Sequence, residues 1–306
     1  MNDRRSGAYR VGTRASALAR LQTGAVRARL EALHPGTSFV EVLVSTQGDR
    51  DTTTPLQAIG APDLFTDALE GALSAGEIDL AVHSLKDVPL KAADGLILGA
   101  IGLREDARDV LVASNGWTLP SLPQGARVGT CSMRRSAQLK AVRPDLTLPP
   151  LRGNIDTRVR QVADGTFDAI VLAAAGLHRL GMHSVISQYL ELEQMLPAPG
   201  QGALAIQCRA DDHDTQSAIA PLDDQTVRQA TAAERAVIEG IGGYSAPVGA
   251  YAGIEGDSLV VRAAIYASDG RSAVRVQGSG NASDGRALGL TVAARAIALG
   301  AASLLS

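Results

Sequence analysis

"VGTRASALARLQ" (residues 11–22) and "VGTCSMRRSAQL" (residues 128–139) form a faint internal repeat. Each runs from a strand through Val-Gly-Thr into a helix with basic residues near its start. A second pair, "SAGEIDLAVHS" (74–84) and "VADGTFDAIVL" (162–172), reads as helix end, glycine, aspartate and apolar strand in both copies. Two readings stand. The likeness is either coincidence among common βα turns or the mark of two similar lobes facing a cleft. In the second case each lobe offers a helix N-terminus, with unpaired N–H groups, to an anion.

Outward from these segments, short β-branched runs alternate with amphipathic stretches up to about residue 210. "FVEVLVST", "IDLAVHS", "LILGAIG", "DAIVLAAA" and "GALAIQC" read as strands, and "SALARLQTGAVRARLEAL", "LFTDALEGALSAG" and "NIDTRVRQVADG" as helices. That alternation predicts an α/β fold with mainly parallel sheets. After about residue 225 a helix, "DQTVRQATAAERAVIEGI", precedes three strands and a final helix. Asp269-Gly270 is a hairpin turn signal, so this part is a separate α+β domain.

The 306 residues, 45% hydrophobic and 20% charged, suit two or three domains with ample cores. A net charge of −3 argues against a nucleic-acid partner held by bulk attraction. Two cysteines, Cys131 and Cys208, cannot build a disulfide framework or a cysteine metal cage. The basic N-terminus has no apolar signal region, and no run is long enough to span a membrane. A cytoplasmic monomer with no membrane and no metal is expected. Only three of the 29 basic residues are lysines (Lys86, Lys91 and Lys140), which makes Lys86 conspicuous where it stands.

Six arginines fall at expected strand ends or helix starts: Arg14, Arg134, Arg135, Arg152, Arg158 and Arg179. Open α/β sheets bind ligands beyond the carboxyl ends of their strands, and guanidinium pairs with carboxylate in bidentate fashion. Each alone is a solvated surface residue as readily as a ligand. Together they imply a ligand with several carboxylates or phosphates. In "AVHSLKDVPL" (81–90) an apolar strand ends in His83, Ser84, Lys86 and Asp87 before Pro89. Asp87 either caps a turn or, held ionised by cations, stabilises a cationic intermediate or shuttles a proton.

With these segments in hand, the chain resembles the porphobilinogen deaminase (hydroxymethylbilane synthase) family over nearly its whole length. The likeness rests on "GTRASALA", "STQGDRD", "LFTDALEGAL", "DLAVHSLKDVP", "REDARD", "VGTCSMRRSAQL", "PLRGNIDTR", "AIVLAAAGLHRLG", "LPAPGQGALAIQCR" and "ERAVIEGIGGYSAPVGAYA". The resemblance implies two lobes like those of periplasmic binding proteins and a C-terminal α+β domain. The boundaries expected are 1–104 with 198–222, 105–197, and 223–306. It implies head-to-tail joining of four porphobilinogen units with release of ammonia, on a dipyrromethane cofactor. Asp87 takes the position of the catalytic aspartate. Arg14, Arg134, Arg135, Arg152, Arg158 and Arg179 take those of the carboxylate-binding arginines. Ser16, Ser84, Lys86, Thr130 and Ser132 take those of further polar contacts.

Departures from the family pattern are as informative. Where the family reads Gly-Gly-Cys and attaches the cofactor as a thioether, this chain has Tyr244. A thiol titrates near about 8.5 and a phenol near about 10, so the phenol is the poorer nucleophile at neutral pH. Cys131 replaces a family serine and is either a small buried residue or an alternative thiol. The segment "TQGDRDTTTPLQAIGAPD" (46–63) reads as a lid, with Ala58 and Pro62 where many relatives carry lysine. An active enzyme, an impaired paralogue that binds pyrrole carboxylates, and a coupling enzyme with a shorter product all remain open here.

Overall fold

The computed structural model describes residues 7–45, 66–243 and 246–305. These form two compact units, Met1–Arg104 with Ala203–Gln225, and Glu105–Gly202 with Thr226–Ser306.

In the first unit, β1 (Ala8–Thr13) leads into α1 (Ala17–Leu33), followed by β2 (Ser38–Leu43), α2 (Asp67–Ser74), β3 (Leu80–Ser84) and β4 (Leu96–Gly102). Five strands form a sheet in the order β2-β1-β3-β9-β4, where β9 (Leu204–Arg209) belongs to the returning segment. The helix begins where it does because the Ser16 hydroxyl accepts a hydrogen bond from the Ala19 amide, satisfying one orphan donor of the first turn. β3 is apolar on both faces because both are covered. Leu80 and Val82 pack with Val26 and Leu30 of α1, and Ala81 packs with Leu69, Ala72 and Leu73 of α2.

The expectation of mainly parallel sheets holds for the strands joined by helices. β1 pairs parallel with β2 and β3, whereas β9 runs antiparallel to both β3 and β4. A strand that returns from another part of the chain is not bound to the direction that a βαβ crossover imposes.

The second unit contains β5 (Asp109–Ala113), β6 (Val128–Gly129), α3 (Met133–Val142), α4 (Ile155–Ala163), β7 (Ala169–Ala173), α5 (Ala174–Arg179) and β8 (Gln188–Leu190). Its sheet has the order β6-β7-β5-β8. Here β6 and β7 are parallel, while β5 is antiparallel to both its neighbours. Beyond it come α6 (His213–Ile219), which belongs to the first unit, and then α7 (Gln225–Ile241). An antiparallel sheet of β10 (Val248–Glu255), β11 (Ser258–Tyr266) and β12 (Ala273–Gly280) follows, with α8 (Gly285–Ala298) after it. The β11–β12 hairpin turns through Asp269-Gly270, and Gly270 has a φ of 75°.

Residues 105–202 and 226–306 share one unit because they share a core and backbone bonds. Ala137 and Leu196 cluster with Ala264 and Tyr266, and the Ala250 amide donates to the Pro197 carbonyl. Buried Glu234 on α7 strengthens the join, taking the Gly200 amide at 2.7 Å and the Ala252 amide at 2.8 Å. α7 and α8 meet closely where Gly289 lies against Ala233, since a Cβ there would stand 2.2 Å from the Ala233 carbonyl oxygen.

Gly202 closes the loop 197–202. Its φ is +90°, and a Cβ would lie 2.3 Å from the backbone oxygen of Glu105, whose amide in turn donates to the Gly202 carbonyl. Both the left-handed backbone and the contact exclude a side chain. Gly202→Ala is therefore predicted to lower the unfolding free energy by at least ~2 kcal/mol, read from urea denaturation. An unchanged midpoint would show that the loop yields where its backbone contacts say it cannot.

Candidate active site

In the first unit the candidate residues gather after β1 and β3. β3 ends in a single 3-10 turn, Leu85–Asp87. Leu85 is buried and its amide donates to the Ala203 carbonyl. With Leu85 pinned, the turn leaves Lys86 half-buried and Asp87 exposed. Ser84 is held from below, its hydroxyl accepting from Gln22 Nε2 of α1 at 2.9 Å. Arg14, half-buried, follows β1 directly. Ser16, placed among the polar contacts by sequence, spends its oxygen on capping α1, and its hydroxyl proton remains as a donor.

His83 lies under this turn. Burial pushes its pKa down to about 4, and the positive charge of Arg14 adds to the shift. Gln207 opposes it, yet His83 Nε2 finds no partner of hydrogen-bonding geometry. The ring is thus a neutral, buried support and not an acid–base group working at neutral pH.

In the second unit the repeat is visible as matching geometry. Ser132 caps α3, accepting from the Arg135 amide, as Ser16 caps α1. Buried Thr130 orients the turn by accepting from the Ser132 amide at 3.1 Å. Half-buried Cys131 donates its Sγ–H to the Leu151 carbonyl at 3.0 Å, next to Arg152. Arg158 Nε donates to the Gly153 carbonyl at 2.7 Å, and Arg179 Nη2 donates to the Gly202 carbonyl at 2.7 Å. Burial pulls the Arg179 pKa down, and Glu105 opposes that.

Arg134 and Arg135, which the family resemblance puts among the carboxylate-binding arginines, also serve inside the protein. Both are buried and share one protein carboxylate, Asp109, at 2.7 Å each. Burial would raise the Asp109 pKa, but the two guanidiniums more than offset it and hold the group well below the usual carboxylate range. Gln201 Nε2 adds a hydrogen bond of 3.0 Å to the same carboxylate.

Sequence reasoning passed over Asp109, Gln201 and Glu234. Asp109 and Gln201 lie in the quoted segments "REDARD" and "LPAPGQGALAIQCR", but an acid opening an apolar strand shows no partners until the fold supplies them. Cys208 is buried in β9, and burial pushes its thiol up to about 11, so it supplies little thiolate. Tyr244 and the segment 46–63 lie outside the described residues. Among the described residues no helix is long and apolar enough to cross a membrane, and no cluster of His, Cys, Asp and Glu could hold a metal ion.

Each unit thus presents cationic side chains and a helix-capping hydroxyl at strand ends, a donor set that suits carboxylates, and the first unit adds the exposed carboxylate of Asp87. The comparisons narrow the class. Residues 9–217 match the family described as "Porphobilinogen deaminase, dipyromethane cofactor binding domain", and residues 229–298 match "Porphobilinogen deaminase, C-terminal domain". A porphobilinogen deaminase of Roseiflexus sp. (strain RS-1) is 50% identical, covering 97% of this chain and 98% of its own length. Others from Brevibacillus brevis (45%, covering 98% and 97%) and Syntrophobacter fumaroxidans (42%, covering 97% and 96%) are similar along nearly the same span. Among solved structures, the methionine binding protein MetQ is 13% identical with a TM-score of 0.46, over 71% of this chain and 89% of its own. The chain belongs to the porphobilinogen deaminase family.

His83 yields a pH prediction. Its folded pKa lies below the unfolded value of about 6.5, so its contribution is fully present above that pH and is lost as pH falls through about 4. The loss over this window is about 3 kcal/mol. His83→Gln should flatten the fall in unfolding free energy between pH 7 and pH 4 by that order. An equally steep fall in the variant would remove His83 as its source.

Proposed function

We propose that this chain is a porphobilinogen deaminase-type transferase that condenses four porphobilinogen units head to tail into hydroxymethylbilane, releasing one ammonia per unit and taking up one water as the linear tetrapyrrole is hydrolysed off. What carries the reading is Asp87, exposed on a pinned turn at the end of β3, in a chain matched along 97% of its length by porphobilinogen deaminases. Each porphobilinogen brings an acetate, a propionate and an aminomethyl group. Arg14, Arg134, Arg152, Arg158 and Arg179 take the carboxylates, with Arg135 beside Arg134 and with Ser16, Ser84, Lys86, Thr130 and Ser132 as further donors.

Asp87 accepts the pyrrole N–H and supplies the negative charge that the methylene-pyrrole cation needs as ammonia departs with the C–N bonding pair. The cation is then captured by the pyrrole carbon of the growing chain, which gives up its proton. The same cationic residues suit the carboxylates of a dipyrromethane. When bound, that group supplies the first nucleophilic pyrrole carbon. The protein acts as a cytoplasmic monomer on small molecules, with no nucleic-acid partner.

Tyr244 favours a second reading, in which the chain binds pyrrole carboxylates without completing the polymer or stops at a shorter product. Purified protein given porphobilinogen separates the two. Ammonia release with a linear tetrapyrrole product supports the transferase, and binding without ammonia release supports the paralogue. An intact mass equal to the bare polypeptide would rule out a covalent primer.

Asp87→Asn keeps the shape and loses the charge. Turnover should fall by at least ~10²-fold while porphobilinogen binding changes far less. Unaltered turnover would take Asp87 out of the mechanism.

Tyr244→Cys restores a thiol at the attachment position. Expressed with a supply of porphobilinogen, the variant should gain the mass of one dipyrromethane and release ammonia faster than its parent. A folded variant that stays unmodified would move the second reading ahead. A parent already carrying the primer would place attachment elsewhere, and Cys131→Ser should then abolish it.

A further inference from the structure

We infer that Asp109 is a positioning residue for carboxylate capture. It fixes the two arginines at the start of α3 and leaves them one net positive charge, matched to a single ligand carboxylate. The inference rests on the proposed function for the class of ligand.

The hydrogen bonds divide the two arginines into different roles. Asp109 opens β5 and is fully buried. Its Oδ1 accepts from Arg135 Nε at 3.1 Å, Arg135 Nη2 at 2.7 Å and Gln201 Nε2 at 3.0 Å. Its Oδ2 accepts from Arg134 Nη1 at 2.7 Å. Arg135 is engaged through every nitrogen, because its Nη1 also donates to the Val171 carbonyl at 3.0 Å. All three of its nitrogens have protein acceptors.

Arg134 is different. Its bonds go out through Nη1 alone, to Asp109 and to the Leu196 carbonyl at 2.6 Å. Its Nε and Nη2 take no acceptor among the described residues. The guanidinium is held in a side chain only 7% exposed, yet neither of these nitrogens is among the fully buried atoms without a partner, so this edge is the part of the group left open to a ligand. An Nε/Nη2 edge is also the edge that meets a carboxylate in bidentate fashion.

One carboxylate facing two guanidiniums leaves one positive charge, assigned by the hydrogen bonds to Arg134. Asp109 therefore works through Arg134 and Arg135, without itself touching a ligand. A carboxylate of the same charge one methylene further out would still balance the cluster but would displace both guanidiniums.

The test uses the full chain with the variants Asp109→Glu, Arg134→Gln and the double variant. Porphobilinogen affinity is measured by calorimetry, turnover by ammonia release, and folding by thermal melting. Asp109→Glu should fold and bind porphobilinogen at least ~10-fold more weakly, the range for one charge-assisted contact, with kcat changed much less than KM. Arg134→Gln should lose a similar factor. The double variant should lose little more than either alone, because both act through one contact.

A folded Asp109→Glu with parental affinity overturns the inference, as do losses that add in the double variant. Should Asp109→Glu fail to fold, Gln201→Leu replaces it. That variant frees one side of the same carboxylate and should weaken binding by ~3-fold or more, and parental affinity in it overturns the inference. A parent that binds porphobilinogen but releases no ammonia sinks the transferase reading alone, since the affinities still decide the role of Asp109. A parent that does not bind porphobilinogen overturns both.

Discussion

A buried carboxylate held between two buried guanidiniums is the interaction on which the second unit depends. Asp109 begins β5, Arg134 and Arg135 begin α3, and Gln201 belongs to the loop before the chain leaves the unit. One charge cluster thus sets the positions of a strand, a helix start and a loop. Such a cluster is not a large source of net stability, because desolvating the charges consumes much of the Coulombic gain. What it imposes is geometry. Any arrangement that parts these segments leaves an unpaired charge in a low-dielectric interior, which is far costlier than the folded pairing is favourable. That asymmetry makes the cluster a better positioner than a patch of leucine contacts, which slides at modest cost.

The first unit handles its returning segment by a related device on a different scale. Arg209 of β9 and Arg10 of β1 both reach Asp79, at 3.3 and 2.8 Å, and Arg209 also binds Asp212 at 2.8 Å. These groups are less buried than Asp109, and the charges are correspondingly cheaper to hold. In both units an aspartate beside a strand collects arginines from segments distant in sequence. The chain's preference for arginine over lysine suits this, because a planar fork can bind two acceptors at once.

The repeat was legible because its physics is local. Val-Gly-Thr followed by a serine cap needs nothing beyond neighbouring residues, and Ser16 and Ser132 both cap as that pattern implies. "LILGAIG" and "LAVHS" were likewise legible as strands from apolar runs alone. The direction of β9 was not, since periodicity says which residues are buried and nothing about which way a strand runs. The short strand "DVLVA" is masked in the sequence by the charged "REDARD" that runs into it. Family likeness placed Arg134 and Arg135 among the ligand contacts, but the identity of their protein partner depends on a pairing across about 25 residues. Glu234 was hidden for the same reason, since a glutamate inside an amphipathic helix looks solvated until two backbone amides are seen pointing at it.

The place of β9 has a consequence for biogenesis. It lies between β3 and β4 in the sheet, yet it is translated about a hundred residues after them. At ~5–20 residues per second, the ribosome needs on the order of ten seconds to deliver it. Throughout that interval β3 and β4 have no strand between them, and their facing edges carry unpaired amides and carbonyls on a strongly apolar background. Unpaired apolar edges are the usual templates for aggregation. A nascent chain of this design therefore needs either a chaperone or rapid folding of the intervening segment to pass through synthesis safely.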